Sequence, residues 1–100
     1  MKIFLDDYRP FPDEKGGFNC VRTFEDCINL LNVFKSIDFI SLDYDLSSKH
    51  TGLDVLMYMY ENDIKPDHIN IHSSHPDGSS EMLSYAEKFF KDVTITNNVL

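Results

Sequence analysis

Residues 68–72, HINIH, alternate polar and apolar without a break, and residues 93–96, VTIT, do the same. Period-two alternation marks a strand with one dry face and one wetter face. Between and before these runs lie segments of helical spacing. A chain that interleaves strands with helices builds a mostly parallel sheet. Strands buried under helices on both faces read as continuous apolar runs. These do not, so the sequence predicts a parallel sheet with its helices on one face.

The remaining elements follow in order. Residues 2–6, KIFLD, read as a first strand that ends in acid, and residues 8–18, YRPFPDEKGGF, as a Pro/Gly loop. Residues 19–22, NCVR, give a second strand. Thr23 caps a helix in which Phe24, Cys27, Ile28, Leu31 and Phe34 keep helical spacing, with Asp26 three residues after the cap. Residues 38–43 are the third strand. Thr51 or Gly52 opens a helix carrying Leu53, Leu56, Met57 and Tyr60, which stops before Pro66. After the HINIH strand, SSHPDGSS reads as a loop. Ser80 leads a last helix through Met82, Leu83, Tyr85, Ala86, Phe89 and Phe90, and VTIT closes the order.

Right-handed crossovers place all three helices on one face. If Ile3, Leu5, Ile40, Leu42, Ile69 and Ile71 meet those helices, then Asp6, Ser41, Asp43, Asn70 and His72 share the other, poorly covered face. Phe4 and Phe39 lie there too. The loop of residues 8–18 and a symmetric homodimer are the expected covers.

One hundred residues make a single domain, residues 1–100. No apolar run approaches the roughly 20 residues of a membrane span, and the early Asp6 argues against a signal peptide, so a cytoplasmic protein is expected. The formal net charge of −8 excludes duplex DNA as a partner. It leaves room for a small phosphate held by a cation or one Arg. Cys20 and Cys27 form no CxxC pair and read as reduced thiols.

Chemistry concentrates at the carboxyl ends of the strands, where open parallel sheets bind ligands. Asp6, Asp7 and Arg9 follow the first strand, Asp43 and Asp45 the third, and His72, Ser73, Ser74 and His75 the fourth. Four carboxylates at one edge call for a counter-charge, and a hard divalent cation, Mg²⁺ or Mn²⁺, supplies it through oxygen ligands. Asp6, Asp7, Asp43 and Asp45 are the metal candidates. Asp also caps and turns chains, and for Asp7 and Asp45 that reading stands beside the ligand reading. His72 is a candidate acid or base. Ser73 and Ser74 either hold a phosphate or shape the turn before Pro76. His50 and His68 are expected to be surface residues.

FLDD, ISLDYDL with TGLDVL, and IHSS resemble the first, third and fourth strand ends of receiver domains. The first and last receiver helices are missing, and no Lys ends the last strand. The chain is more similar to cyclic-phosphate processing receiver-like domains, through LDDYRP (5–10), SLDYDL (41–46), TGLDV (51–55), HSSHPDG (72–78) and Met82. Tyr44 and His75 stand where that family often has His and Asn. The resemblance implies a small flavodoxin/receiver-like α/β fold with a sheet of about five strands. It also implies action on a cyclic phosphate of a nucleotide or RNA end. Asp6, Asp43 and His72 would then be catalytic, His72 protonating the leaving oxygen. Arg9, Ser73, Ser74 and His75 would bind substrate. The alternatives are a module that binds a cyclic nucleotide without turnover and a receiver-like interaction domain.

Overall fold

A computed structural model of the chain describes residues 1–11, 17–34 and 36–98. In chain order the elements are β1 (Lys2–Leu5), β2 (Phe18–Val21), α1 (Phe24–Val33), β3 (Phe39–Leu42), α2 (Gly52–Glu61), β4 (His68–Ile71), α3 (Pro76–Phe89) and β5 (Thr94–Thr96). The strands form one five-stranded sheet in the order β2-β1-β3-β4-β5, every pair parallel. This is the receiver-like α/β fold expected from the sequence.

The single helical layer follows from that order. The steps β2 to β3, β3 to β4 and β4 to β5 all run in one direction along the sheet. A fixed right-handed crossover therefore lays α1, α2 and α3 on one face, with α2 packed between the other two. The single backward step, β1 to β2, carries no helix among the described residues. Ile3, Leu5, Ile40, Leu42, Ile69 and Ile71 are fully buried beneath the helices, with Leu31, Leu56, Met59, Met82 and Ala86 opposite. Cys27 is in the same core, where burial pushes its thiol up to about 12.

Local signals explain the helix starts. Thr23 Oγ1 accepts from Asp26 N–H at 3.1 Å, the expected cap of α1. At α2, the Asp54 carboxylate accepts from Thr51 N–H at 2.8 Å. Here Gly52 is required by contact: a Cβ on it would stand 2.1 Å from Asp43 O. The helix therefore starts directly against the end of β3.

α3 begins earlier than the sequence reading placed it, at Pro76 and not Ser80. His75 is its N-cap, its Nδ1 accepting from Gly78 N–H at 2.9 Å. Pro76 fits the first turn, where its missing N–H has no helical partner to lose. Gly78 is again dictated by contact, since a Cβ would reach 2.3 Å from the Tyr44 ring.

The second face of the sheet is not open. Asp6, Ser41, Asn70, His72 and Phe4 are all buried there. The rings of Phe11 and Phe18 meet Phe4 edge-on at 6.2 and 6.3 Å, and Asn98 closes over Asn70. Part of the loop expected to cover this face, residues 12–16, lies outside the described residues.

Candidate functional site

Three backbone hydrogen bonds extend the ladder one residue past the strands: Asp6 N–H to Val21 O, Asp43 N–H to Leu5 O and His72 N–H to Leu42 O, at 3.0–3.2 Å. They hold Asp6, Asp43 and His72 side by side in one row at the carboxyl edge. One ligand atom from each lies within 4.8 Å of the others, so the three residues could hold a metal ion. All three are buried.

Asp6 is held by three hydrogen bonds and an ion pair. Its Oδ1 accepts from the backbone N–H groups of Tyr8 and Arg9 at 3.0 and 2.9 Å. Its Oδ2 meets His72 Nε2 at 3.0 Å and Arg9 Nε at 3.8 Å. Arg9 in turn donates from Nη1 to His72 O, which ties the β1 loop to the end of β4. Arg22, at the end of β2, donates to Arg9 O at 2.6 Å and lies 3.8 Å over the Phe11 ring. Sequence reading passed over Arg22. Its role depends on β2 lying beside β1, which places it next to Asp6 on the same face.

Asp43 differs. Its Oδ1 accepts from Tyr44 N–H at 2.9 Å. Burial and the nearby Asp6 carboxylate push its pKa up to about 6, and the Tyr44 N–H, Arg9 and Ser73 pull it only partly back. The site has more negative charge than its described cations neutralise. His72 is shifted down, chiefly by burial, although its hydrogen bond to Asp6 opposes the shift.

The row opens into a cleft of about 310 Å³ lined by Asp7, Tyr8, Arg9, Asp43, Asp45, Ser73, Ser74, His75 and Pro76. Asp7 lies on its wall. Asp7 Oδ2 accepts from Ser47 Oγ, while Oδ1 is a buried oxygen with no hydrogen-bond partner among the described residues. Asp45 is exposed and forms a turn, its Oδ1 accepting from Ser47 N–H at 3.0 Å, with Ser47 at φ 53. Ser73 Oγ accepts from His75 N–H at 3.0 Å, and Ser74 is exposed at the rim. His75 faces the cleft while capping α3. Tyr8 stands at the mouth with three-quarters of its surface in solvent.

The expected residues thus divide into two layers. Asp6 and His72 form a buried floor, and both His72 ring nitrogens are taken, Nε2 by Asp6 and Nδ1 by Ser41 Oγ at 2.6 Å. Asp7, Arg9, Asp43, Asp45, Ser73, Ser74 and His75 line the cleft above it. The two histidines read as surface residues are partly buried: His50 stacks on Phe24 at 4.1 Å, and His68 Nε2 meets Thr96 Oγ1 at 2.7 Å.

A parallel 2-1-3-4-5 sheet with paired acids at the ends of β1 and β3 defines a receiver-like domain. The cyclic-phosphate processing receiver domain family matches residues 1–88, and the chain belongs to that family. No curated protein and no solved structure gives a significant match. Among the described residues, no helix is long and apolar enough to cross a membrane.

Proposed function

We propose that this chain binds a cyclic phosphate in the cleft and hydrolyses one of its ester bonds. The observation that carries the reading is the buried Asp6–Asp43 pair, with Asp43 raised to about 6 beside a polar cleft that contains Arg9. The family's name supports the ligand class.

The donor set fits a hard divalent cation. Among the described residues Asp7 Oδ1 lacks a partner, and Asp43 is short of positive charge. Asp6 has one direction left of a carboxylate's roughly four lone-pair sites. Asp6 and Asp43 would hold Mg²⁺ or Mn²⁺ directly, and Asp7, outside their cluster, would act on the ion's water shell. Bound there, the cation would neutralise charge on the phosphate oxygens.

The side chains of the cleft divide the remaining work. The Arg9 guanidinium is fixed by His72 O and by the Asp6 carboxylate, and it would turn its outer N–H groups to phosphate oxygens. The hydroxyls of Ser73 and Ser74 orient the ligand. His75 uses Nδ1 as an acceptor for the helix cap, so its proton sits on Nε2 and donates a hydrogen bond to the leaving oxygen. The Tyr8 ring, exposed at the mouth, gives a base a face to stack on. Water adds to phosphorus and one ring P–O bond breaks. The water's proton passes to solvent, and the leaving oxygen takes up a proton to give a phosphate monoester.

Phosphorus NMR tests this directly. The protein with Mg²⁺ or Mn²⁺ is offered 2′,3′- and 3′,5′-cyclic nucleotides, cyclic dinucleotides and an RNA oligonucleotide ending in a 2′,3′-cyclic phosphate. A new monoester signal, absent with Asp43→Ala, is the expected result. Ligand signals that shift or broaden without product would replace hydrolysis by simple binding. No response to any of them would remove the cyclic phosphate altogether.

A further inference from the structure

A line of hydrogen bonds crosses the buried second face of the sheet, and its direction can be assigned from the backbone. Asn98 meets the Asn70 amide with both of its main-chain groups. Its N–H lies 3.1 Å from Oδ1 and its carbonyl 2.8 Å from Nδ2. A backbone N–H only donates and a carbonyl only accepts, so the Asn70 amide has a single orientation. The other Nδ2 proton donates to Ser41 Oγ at 3.0 Å. The Ser41 hydroxyl then directs its own proton to its remaining partner, His72 Nδ1, at 2.6 Å. Nδ1 is the acceptor, and the ring proton sits on Nε2, 3.0 Å from Asp6 Oδ2. On the far side, Thr96 Oγ1 donates to Asn70 Oδ1 at 2.6 Å and receives from His68 Nε2 at 2.7 Å. Every donor along the line points toward Asp6.

We propose that Ser41 and Asn70 are positioning residues that lock His72 as its Nε2–H tautomer. His72 thereby holds the Asp6 carboxylate and stays off the metal, leaving the cation an all-oxygen site. Distance alone would admit His72 as a third ligand. A nitrogen that carries a proton directed at Asp6 cannot also coordinate. The consequence is selectivity: a carboxylate site suits Mg²⁺ and Mn²⁺, whereas an imidazole in the set would favour Zn²⁺. Phe4 reinforces the arrangement by stacking on the His72 ring at 4.5 Å and 4°, which fixes the ring plane. The metal part of this inference rests on the carboxylate site proposed above; the tautomer does not.

The test is a long-range ¹H–¹⁵N correlation spectrum of the His72 ring, recorded with and without Mg²⁺ and in the absence of substrate. Nδ1 is expected to resonate as the bare nitrogen and Nε2 as the protonated one, in both samples. A proton on Nδ1, or loss of the Nε2 proton when Mg²⁺ is added, would overturn the proposal. Asn70→Asp sharpens it by replacing the amide donor with an acceptor. Ser41 would then donate toward residue 70 and receive from His72, moving a proton onto Nδ1. An unchanged ring pattern in a folded Asn70→Asp protein would show that Asp6 alone sets the tautomer and would remove Ser41 and Asn70 from the account. If that variant does not fold, the two wild-type spectra still decide the tautomer and the metal contact. The readout involves no turnover, so a protein inactive toward every cyclic phosphate can still satisfy it.

Discussion

The two faces of this sheet are built from the same strands and are held by different forces. The helix face is aliphatic: Ile3, Leu5, Ile40, Leu42, Ile69 and Ile71 are fully buried under three helices. Its contacts are non-directional, and its stability scales with the apolar area removed from water. The opposite face buries Asp6, Ser41, Asn70 and His72, residues that cost free energy to desolvate unless each polar atom finds a partner. It meets that cost with an ordered line of hydrogen bonds from His68 to Asp6. The line stops short of Asp43 and of Asp7 Oδ1, where the cleft begins. One face makes the fold, and the other spends part of that stability on a charged site.

The comparison predicts a graded set of effects. The largest is at the seam between the faces. Gly52→Ala drives a methyl into Asp43 O, and thermal melting is expected to show a loss of about 4 kcal/mol or more. A mild effect there would mean that the α2 start is not locked to the end of β3. On the aliphatic face, Leu42→Ala should cost about 3 kcal/mol in urea denaturation through lost transfer energy and the cavity left behind.

Asp43 should behave in the opposite sense. Its folded pKa of about 6 lies above the ordinary 3.8, so the folded chain holds that proton more tightly than the unfolded chain. The associated stability is complete below about 3.8 and is lost as pH rises through about 6. At pH 7 the loss is about 3 kcal/mol, and Asp43→Asn should recover about 2–3 kcal/mol of it. The gain should shrink toward zero near pH 4. A destabilised Asp43→Asn at pH 7 would break the comparison, because the carboxylate would then be supporting the fold. The smallest effect is at Ser41. Ser41→Ala removes two hydrogen bonds and leaves Asn70 and His72 each short of a partner. Denaturant melts should register about 1–3 kcal/mol.

The two faces also differ in how legible they were. Alternation in HINIH and VTIT is a local pattern, and it revealed the strands, the single helical layer and the shared face of Asp6, Ser41, Asp43, Asn70 and His72. The Thr23 cap was readable for the same reason, since donor and acceptor lie three residues apart. The start of α3 was not, because HPDG has the composition of a turn and Pro76 suits a turn as well as a first helical turn. Arg22 and His68 stayed hidden because their roles require knowing which strands are neighbours. The closure of Asn70 by the backbone of Asn98 carries no side-chain signature at all. Even within the site, chemistry alone could not separate the layers. Asp45 and Asp7 follow similar strand ends, yet one closes an exposed turn and the other keeps a buried oxygen with no hydrogen-bond partner among the described residues.

The central claim is that Asp43 serves chemistry and not the fold. The measurement that tests it most directly is the phosphorus-NMR time course of the best cyclic phosphate with Mg²⁺ at pH 7, wild type against Asp43→Asn. Without metal this variant is expected to be the more stable protein, so lost activity cannot be ascribed to a chain that fails to fold. The account predicts monoester accumulating with the wild type and none with Asp43→Asn. Equal rates from the two proteins would contradict it.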